Sequence, residues 1–347
     1  MSTAVHHTIA LDVMGGDDAP GPELAGAVAA AKEGLARIIL VGDETKIRAG
    51  LIALGAAGLS GLTIHHASDV ITMDDHPAQA ARAKKDSSMR VAFELVKKGE
   101  AHGVVSAGNS GAMMACGLFV LRRVRGLDRP GVCTTFPTRT GVCALIDMGA
   151  NVDVKAVTLA QFGVLGATYV RLLHGVARPR VGLLSNGTED GKGTELLREA
   201  LAILRGASAF DFRGFIEGRD IFGGELDVVV TDGFTGNVVL KTAEGAASLI
   251  MKLVKEEVLA SPLRKLGALL LSGAFKALAR RLDYAEHGGA PLLGVEGNVV
   301  LCHGGSNDKA IKNGIKMAAR LASAGLVDAV KVALADSSPL WEKAAGA

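Results

Sequence analysis

Short apolar runs alternate with polar, glycine-bearing loops along almost the whole chain, and the loops follow directly on the runs. Residues 7–13, 38–41, 103–106, 142–146, 181–184, 228–230 and 299–302 are rich in aliphatic side chains over lengths typical of buried strands. Between them, 22–34, 87–98, 194–205 and 237–259 have helical patterning; Leu196, Leu197, Ala200, Leu201 and Leu204 form an apolar stripe that reads as core. Strands alternating with helices predict an α/β fold, with a mostly parallel sheet and helices on both faces. No repeat or low-complexity linker divides the chain, so residues 1–340 are expected to form one α/β unit, or two lobes around a central crevice.

Six loops stand out: LDVMGGDDAPGP (11–22), VVSAGNSGAMMA (104–115), LIDMGANVD (145–153), LLSNGTEDGKGTE (183–195), VVVTDGFTGN (228–237) and VEGNVVLCHGGSN (295–307). In an open α/β sheet, ligands sit beyond the carboxyl ends of the strands, so loops that all follow strands are expected to gather at one site. Any single loop is explained more simply as a strand-to-helix turn, but the shared enrichment in Asn, Ser, Asp and Lys favours a site for the set. The loop after residue 105 is the sharpest. Its backbone amides and hydroxyls would converge at a helix N-terminus, a place suited to a phosphate-like anion.

Two nucleotide signatures are absent. Ser106 stands where a dinucleotide fingerprint wants its first glycine, and in GTEDGKGT (187–194) Gly193 follows Lys192 where a magnesium-binding hydroxyl should be. Neither NAD nor ATP is indicated. With 347 residues, 49% hydrophobic content and 45 glycines, the chain can bury a large core, and a formal charge of +2 gives no reason to expect nucleic acid. Cys116, Cys133, Cys143 and Cys302 show no CxxC pairing and the start of the chain has no secretory pattern, so reduced thiols in a cytosolic protein are expected. The adjacent histidine pairs lack the spacing of metal ligands, and no metal site is expected.

One stretch departs from the pattern. Residues 261–282 carry Arg264, Lys265, Lys276, Arg280 and Arg281 and no acid, while Leu271, Phe275, Leu278 and Leu282 keep helical spacing. This predicts a protruding basic amphipathic helix or hairpin over 261–290, for which packing on a partner subunit and contact with a membrane surface or acidic protein are both open. Its apolar part, 266–271, is too short to span a bilayer.

ALDVMGGDDAPGPELAGA, RAKKDSSMRVAFELVKKG, VVSAGNSGAMMA, DVVVTDGFTGNVVLKTAEG and LLGVEGNVVLCHGGSN together closely resemble the phosphate acyltransferases of bacterial phospholipid synthesis, over about residues 9–334. The family often has Thr where this chain has Ser110, which keeps the hydroxyl. The resemblance implies transfer of a fatty acyl group from acyl carrier protein to inorganic phosphate, and a fold akin to phosphotransacetylases and isopropylmalate dehydrogenases. It further implies a homodimer with no metal or organic cofactor, loosely associated with anionic membrane. The acyl phosphate would pass to a membrane glycerol-3-phosphate acyltransferase.

The residues agree with such chemistry, because phosphate attacking a thioester needs an anion cradle and oxyanion donors rather than a protein nucleophile. Ser106, Gly108, Asn109, Ser110 and Gly111 are assigned to phosphate, with Asn109 as a catalytic donor. Lys192 and Lys241 would neutralise charge, and Asn186, Asp232 and Asn237 would position the thioester or oxyanion. His303 is expected as acid or donor, unless it is structural. Lys84 and Lys85, with Ser87 and Ser88, form a second candidate anion segment. The alternatives are a short-chain acyl-CoA phosphate acyltransferase and a non-catalytic phosphate-binding membrane scaffold.

Overall fold

The apolar runs form one eleven-stranded sheet in the computed structural model, which describes residues 7–282 and 288–345. The strands are β1 (Thr8–Asp12), β2 (Arg37–Gly42), β3 (Leu62–His66), β4 (Gly103–Ser106), β5 (Gly131–Pro137), β6 (Val142–Ile146), β7 (Arg180–Leu184), β8 (Asp211–Ile216), β9 (Val228–Val230), β10 (Ala290–Leu293) and β11 (Asn298–Leu301). Their order across the sheet is β3-β2-β1-β4-β11-β10-β5-β6-β9-β7-β8.

The sheet is mostly parallel, as its apolar strands require, but the three pairings in the middle are antiparallel: β11 with β10, β10 with β5, and β5 with β6. An odd number of reversals makes the two parallel halves run in opposite senses. The register decides what this does to the loops. Val104, Val299, Leu292 and Val132 lie on one row, and two residues farther along β5 the row Thr134, Leu145 and Val229 begins the other half. Ser106 and Leu301, the last residues of their strands, are also two residues beyond Val104 and Val299, so they fall level with Thr134. Ile146 and Val230 end the opposed strands one residue past that row. The carboxyl ends of the two halves therefore meet near one line, and the loops gather there from opposite directions.

Helices cover both faces: α1 (Gly21–Lys32), α2 (Glu44–Ala53), α3 (Pro77–Ala83), α4 (Ser88–Lys97), α5 (Ser110–Cys116), α6 (Ala156–His174), α7 (Glu195–Leu204), α8 (Gly233–Leu259), α9 (Pro262–Leu270), α10 (Ser272–Leu282), α11 (Asp308–Ser323) and α12 (Leu326–Ala345). Strand alternation sorts the side chains. Ile9, Leu11, Val105, Val300, Ala144 and Ile146 join one continuous core with α1, α6, α7, α11 and α12. On the other face the core is split, with Ala10, Val104 and Val299 packed under α4 and α5, and Cys143, Leu145 and Val229 under the start of α8. The gap between those two clusters is the cleft described below. Helix α6 is long and apolar enough to cross a membrane, but 78% of its apolar window is buried here, so it serves as the core helix of the second half.

The 261–282 stretch is a hairpin of α9 and α10 at the end of α8. Its most exposed apolar side chains are Leu263 (79%) and Leu270 (80%), with Leu271 and Leu278 also exposed, whereas Phe275, expected on the same face, is half-buried. Arg264 is bonded to Glu257 and Lys265 is exposed. The side chains of Lys276, Arg280, Arg281 and Leu282 lie outside the described residues.

The close crossing of α1 and α11 is set by a glycine. A Cβ on Gly26 of α1 would come within 2.7 Å of the Asp308 carbonyl oxygen and of Ile311 on α11. Gly26→Ala gains about 0.5–1 kcal/mol of helix propensity but must push two helices apart, which costs about 1–3 kcal/mol. Urea unfolding should show net destabilisation on the order of 1 kcal/mol. Gly245→Ala on the open face of α8, where nothing lies within 4 Å, should instead be neutral or stabilising.

Candidate active site

The loops after β1, β4 and β11 are locked together beneath the cleft. The Ser106 hydroxyl donates to Asp12 Oδ2 (2.7 Å) and accepts from the Gly108 N–H (3.0 Å), and the Asp17 N–H donates to the Gly304 carbonyl (3.0 Å). Gly15 and Gly108 touch backbone to backbone, since a Cβ on Gly15 would lie 3.0 Å from Gly108. Two buried acids lie below. Burial pushes the Asp12 carboxyl above its ordinary range, partly opposed by its bonds from Ser106 and the Met14 amide. Glu23, in the first turn of α1, is 1% exposed and packs against Gly16. Burial, reinforced by the Asp12 charge, pushes its carboxyl up to about 7, and its Oε2 has no hydrogen-bond partner.

Asn109 caps α5, its Oδ1 accepting from the Ala112 N–H (3.1 Å). Its Nδ2 donates to the carbonyls of Thr72, Met73 and Asp75 at 3.2–3.3 Å, which ties the 72–75 segment to the loop. Lys84 holds the same segment from behind through Asp75 (2.7 Å) and the Val70 carbonyl (2.8 Å). The Asn109 side chain is thereby spent on its own protein. Its expected role as a direct donor to the substrate gives way to that of a brace.

In the other half, Asp147 at the end of β6 accepts from the amides of Val132, Ala150 and Asn151 and from Asn151 Nδ2, all within 3.1 Å. Burial nevertheless pushes its carboxyl up. Gly233 and Gly236 let the first turn of α8 lie directly on Asp147 and Asn151, where a Cβ would collide. Asp232 caps that turn, accepting from the Thr235 N–H (2.8 Å) and hydroxyl (2.7 Å).

Between the two sets lies a cleft of about 840 Å³. Ser110, Gly111, His303 and Ser306 line it from one side, Asn237 and Lys241 from the other, and Met114, Phe136, Met148, Phe222, Phe234 and Leu240 make it largely apolar. Lys241 Nζ is paired with Glu244 (2.9 Å). His303 Nδ1 accepts the Gly305 N–H (3.1 Å), which leaves Nε2 to carry the proton of a neutral ring.

The structure thus brings together Ser110, Gly111, Asn237, Lys241 and His303, with Ser106, Gly108, Asn109 and Asp232 buried or half-buried as their support. It does not bring Asn186, Lys192, Lys84 or Lys85 into the cleft wall. Asn186 accepts the Gly193 N–H (2.9 Å), closing its loop on itself with Lys192 exposed upon it, and Lys85 is exposed beside α4. Sequence reasoning missed β5, whose Thr134, Thr135 and Phe136 floor the cleft, and Phe222, which packs edge to face on Phe136. The β-branched and aromatic run VCTTFP was a usable signal. It also passed over Asp12, Glu23 and Asp147, three carboxyls that follow or flank the glycine loops.

The fold is similar to that of a phosphotransacetylase from Streptococcus pyogenes, with a TM-score of 0.63 at 18% identity over 92% of this chain and 94% of that one. A 4-hydroxythreonine-4-phosphate dehydrogenase from Klebsiella pneumoniae shares it at a TM-score of 0.52 and 13% identity, over 92% and 99% of the two chains. Within that fold class, residues 7–329 match the model of the fatty acid synthesis protein family. The chain is 55% identical over 310 residues to a phosphate acyltransferase of Geobacter sulfurreducens, covering 89% of each, and 50% identical over 329 residues to one of Trichlorobacter lovleyi, covering 95% of each. The chain belongs to the fatty acid synthesis protein family and, within it, to the phosphate acyltransferases.

Glu23 yields a pH prediction. The folded protein holds its proton more tightly than the unfolded chain, so the stability this group contributes is full below about 4.5 and is lost as pH rises through about 7. At about 1.4 kcal/mol per pH unit, Glu23→Gln should exceed wild type in stability by up to about 3 kcal/mol at pH 8 and by little at pH 4.5. Urea titrations at the two pH values test it. An advantage that does not grow with pH would refute the assignment.

Proposed function

We propose that the cleft transfers a fatty acyl group from the thioester of acyl carrier protein to inorganic phosphate, giving acyl phosphate. The observation that supports this best is the union, in one cleft, of a small polar patch at the first turns of α5 and α8 with walls that are mostly apolar. An oxygen of hydrogen phosphate attacks the thioester carbonyl, the C–O bond forms, the C–S bond breaks, and the proton the phosphate gives up reaches the departing thiolate through solvent. Thiolates leave readily, so the protein's task is to hold the anion and stabilise the oxyanion. Ser110 and Gly111 offer the hydroxyl and first-turn amides to phosphate, Lys241 offers charge once it leaves Glu244, and the Nε2–H of His303 offers a donor. Asn237 flanks the reacting carbonyl.

The α9–α10 hairpin fits the second half of the reading. Arg264 and Lys265 beside exposed leucines, with Lys276, Arg280 and Arg281 in the same stretch of sequence, suit both an acidic carrier protein and an anionic membrane, each cation near such a surface being worth about 1 kcal/mol. The protein would act in the cytoplasm, loosely bound to the membrane, and hand its product to a glycerol-3-phosphate acyltransferase there. Leu249, Ile250 and Leu253, exposed on the outer half of α8, supply an apolar surface for a homodimer. A short-chain acyl-CoA would need neither these leucines nor so large an apolar wall.

Mixing the protein with palmitoyl carrier protein and phosphate should release thiol without added metal. Thiol release that ignores phosphate, or a marked preference for acetyl-CoA, would overturn the assignment. Lys241→Ala should raise KM for phosphate on the order of tenfold, the loss of one charge-assisted contact, with a smaller change in kcat. For the hairpin, Leu270→Glu with Leu271→Glu should abolish co-sedimentation with anionic vesicles while leaving the dimer intact. Retained vesicle binding removes the hairpin from the role of anchor, and a monomeric variant shows that it packs on the partner subunit.

A further inference from the structure

The loop after β11 turns a further polar group toward the cleft. Ser306 is 5% exposed and lines the cleft wall. Its hydroxyl makes no hydrogen bond among the described residues, yet it is not one of the fully enclosed polar atoms, so solvent reaches this oxygen. A hydroxyl drawn out of bulk water costs free energy until something bonds to it. The partner it lacks can reach it only through the cleft.

The backbone fixes where that hydroxyl stands. The Ser306 N–H donates to the His303 carbonyl (2.9 Å), which closes residues 303–306 into a turn, and the Gly305 N–H holds His303 Nδ1 (3.1 Å) within it. Gly304 is clamped from outside: its carbonyl accepts the Asp17 N–H (3.0 Å), and a Cβ on it would meet Asp17 at 2.7 Å and Met73 at 2.8 Å. On the other side Asn307 caps α11, its Oδ1 accepting from the Ala310 N–H (2.9 Å). Only rotation about χ1 is left to Ser306, so its oxygen is placed before any substrate arrives.

The strand register shows which substrate group it serves. Strands β4 and β11 are parallel neighbours, with Ser106 opposite Leu301 and the Cys302 N–H donating to the Ser106 carbonyl (2.8 Å). The chain reaches Ser110 four residues past Ser106 and Ser306 five past Leu301, each where a helix starts. Ser110 and Gly111, which offer themselves to phosphate, thus have His303 and Ser306 on the adjoining loop, whereas Asn237, beside the reacting carbonyl, belongs to the opposed half of the sheet.

We infer that the Ser306 hydroxyl is a further ligand of the substrate phosphate, forming with Ser110 a pair of hydroxyls from adjacent strand ends. This rests on the reading that inorganic phosphate accepts the acyl group, and adds a residue that binds it. The pair supplies what its companions lack. Backbone amides, the His303 Nε2–H and the Lys241 ammonium only donate, whereas a hydroxyl also accepts. Hydrogen phosphate has one P–OH, which needs an acceptor until its proton leaves.

Initial rates with palmitoyl carrier protein and varied inorganic phosphate test this in Ser306→Ala and Ser306→Cys, the second filling the same space with a weak donor. KM for phosphate should rise about tenfold in both, the equivalent of about 1.4 kcal/mol for one hydrogen bond to a charged group. KM for the carrier protein and the thermal midpoint should stay near wild type. Wild-type behaviour of Ser306→Cys beside a defective Ser306→Ala shows that the side chain only fills space and overturns the inference. An unchanged phosphate KM in both variants overturns it too, as does a rise confined to the KM for carrier protein, which moves the hydroxyl to the acyl group. Should Ser306→Ala fail to fold, Ser306→Cys decides the matter through its phosphate KM. Wild-type thiol release that ignores phosphate refutes the underlying reaction instead.

Discussion

The three antiparallel pairings at the centre of the sheet determine everything at the site. Were β4, β11, β6 and β9 all parallel in one sheet, their loops would line a single edge and the cleft would be a shallow crevice above it. Reversal alone would send the two loop sets to opposite edges. It is reversal combined with register, in which Ser106, Leu301 and Thr134 share a level with Leu145 and Val229, that turns the strand ends toward one another. Only two residue pairs, Leu292 with Val132 and Leu293 with Gly131, join β10 to β5 at this seam, and the continuous core on the far face keeps the halves in place.

Most polar side chains in the glycine loops bond to the protein itself. Ser106 joins Asp12 to Gly108, Asn109 joins α5 to the 72–75 segment, Asp147 gathers three amides, and Asp232 and Asn186 close their own turns. What is left facing the cleft is backbone at two helix starts and a handful of tips, among them Ser110, Asn237, Lys241, His303 and Ser306. Such rigidity suits a reaction in which the substrate brings its own leaving group and nucleophile, because preorganised donors do not have to reorient as charge develops.

These two facts explain what was legible in the sequence. Strands β1, β4, β6, β9 and β11 are buried on both faces and read directly as aliphatic runs. Strand β3 (LTIHH) and strand β8 (DFRGFI) sit at the sheet edges, half open to solvent, and their mixed composition hid them; β5 carries threonines because one side floors the cleft. Strand direction is a long-range property that no local pattern encodes, so gathering of the loops was expected for a reason that holds only within each half. At the site, the loops were found but their side chains were sorted less well. An Asn that caps a helix and an Asn that meets a ligand are the same letter, and a lysine beside a glycine says nothing of the direction it faces, which is why Asn109 and Lys241 were assigned alike while Lys192 proves to be solvated.

Helix α8 belongs to two places at once, and its length has a mechanical meaning. Its 27 residues make a rod about 40 Å long, seated at Gly233 and Gly236 on the Asp147 loop and carrying the leucine-rich hairpin at its other end. Its fully buried residues are confined to the seat, and Val239, Leu240 and Ala243 pack half-buried on the core just beyond it. A tilt of about 5° displaces the hairpin by some 3–4 Å and Ala247 by about 2 Å, from the 1.5 Å rise alone. Were α8 to tilt about its seat, the displacement at the hairpin would be roughly twice that at Ala247, from helix length alone.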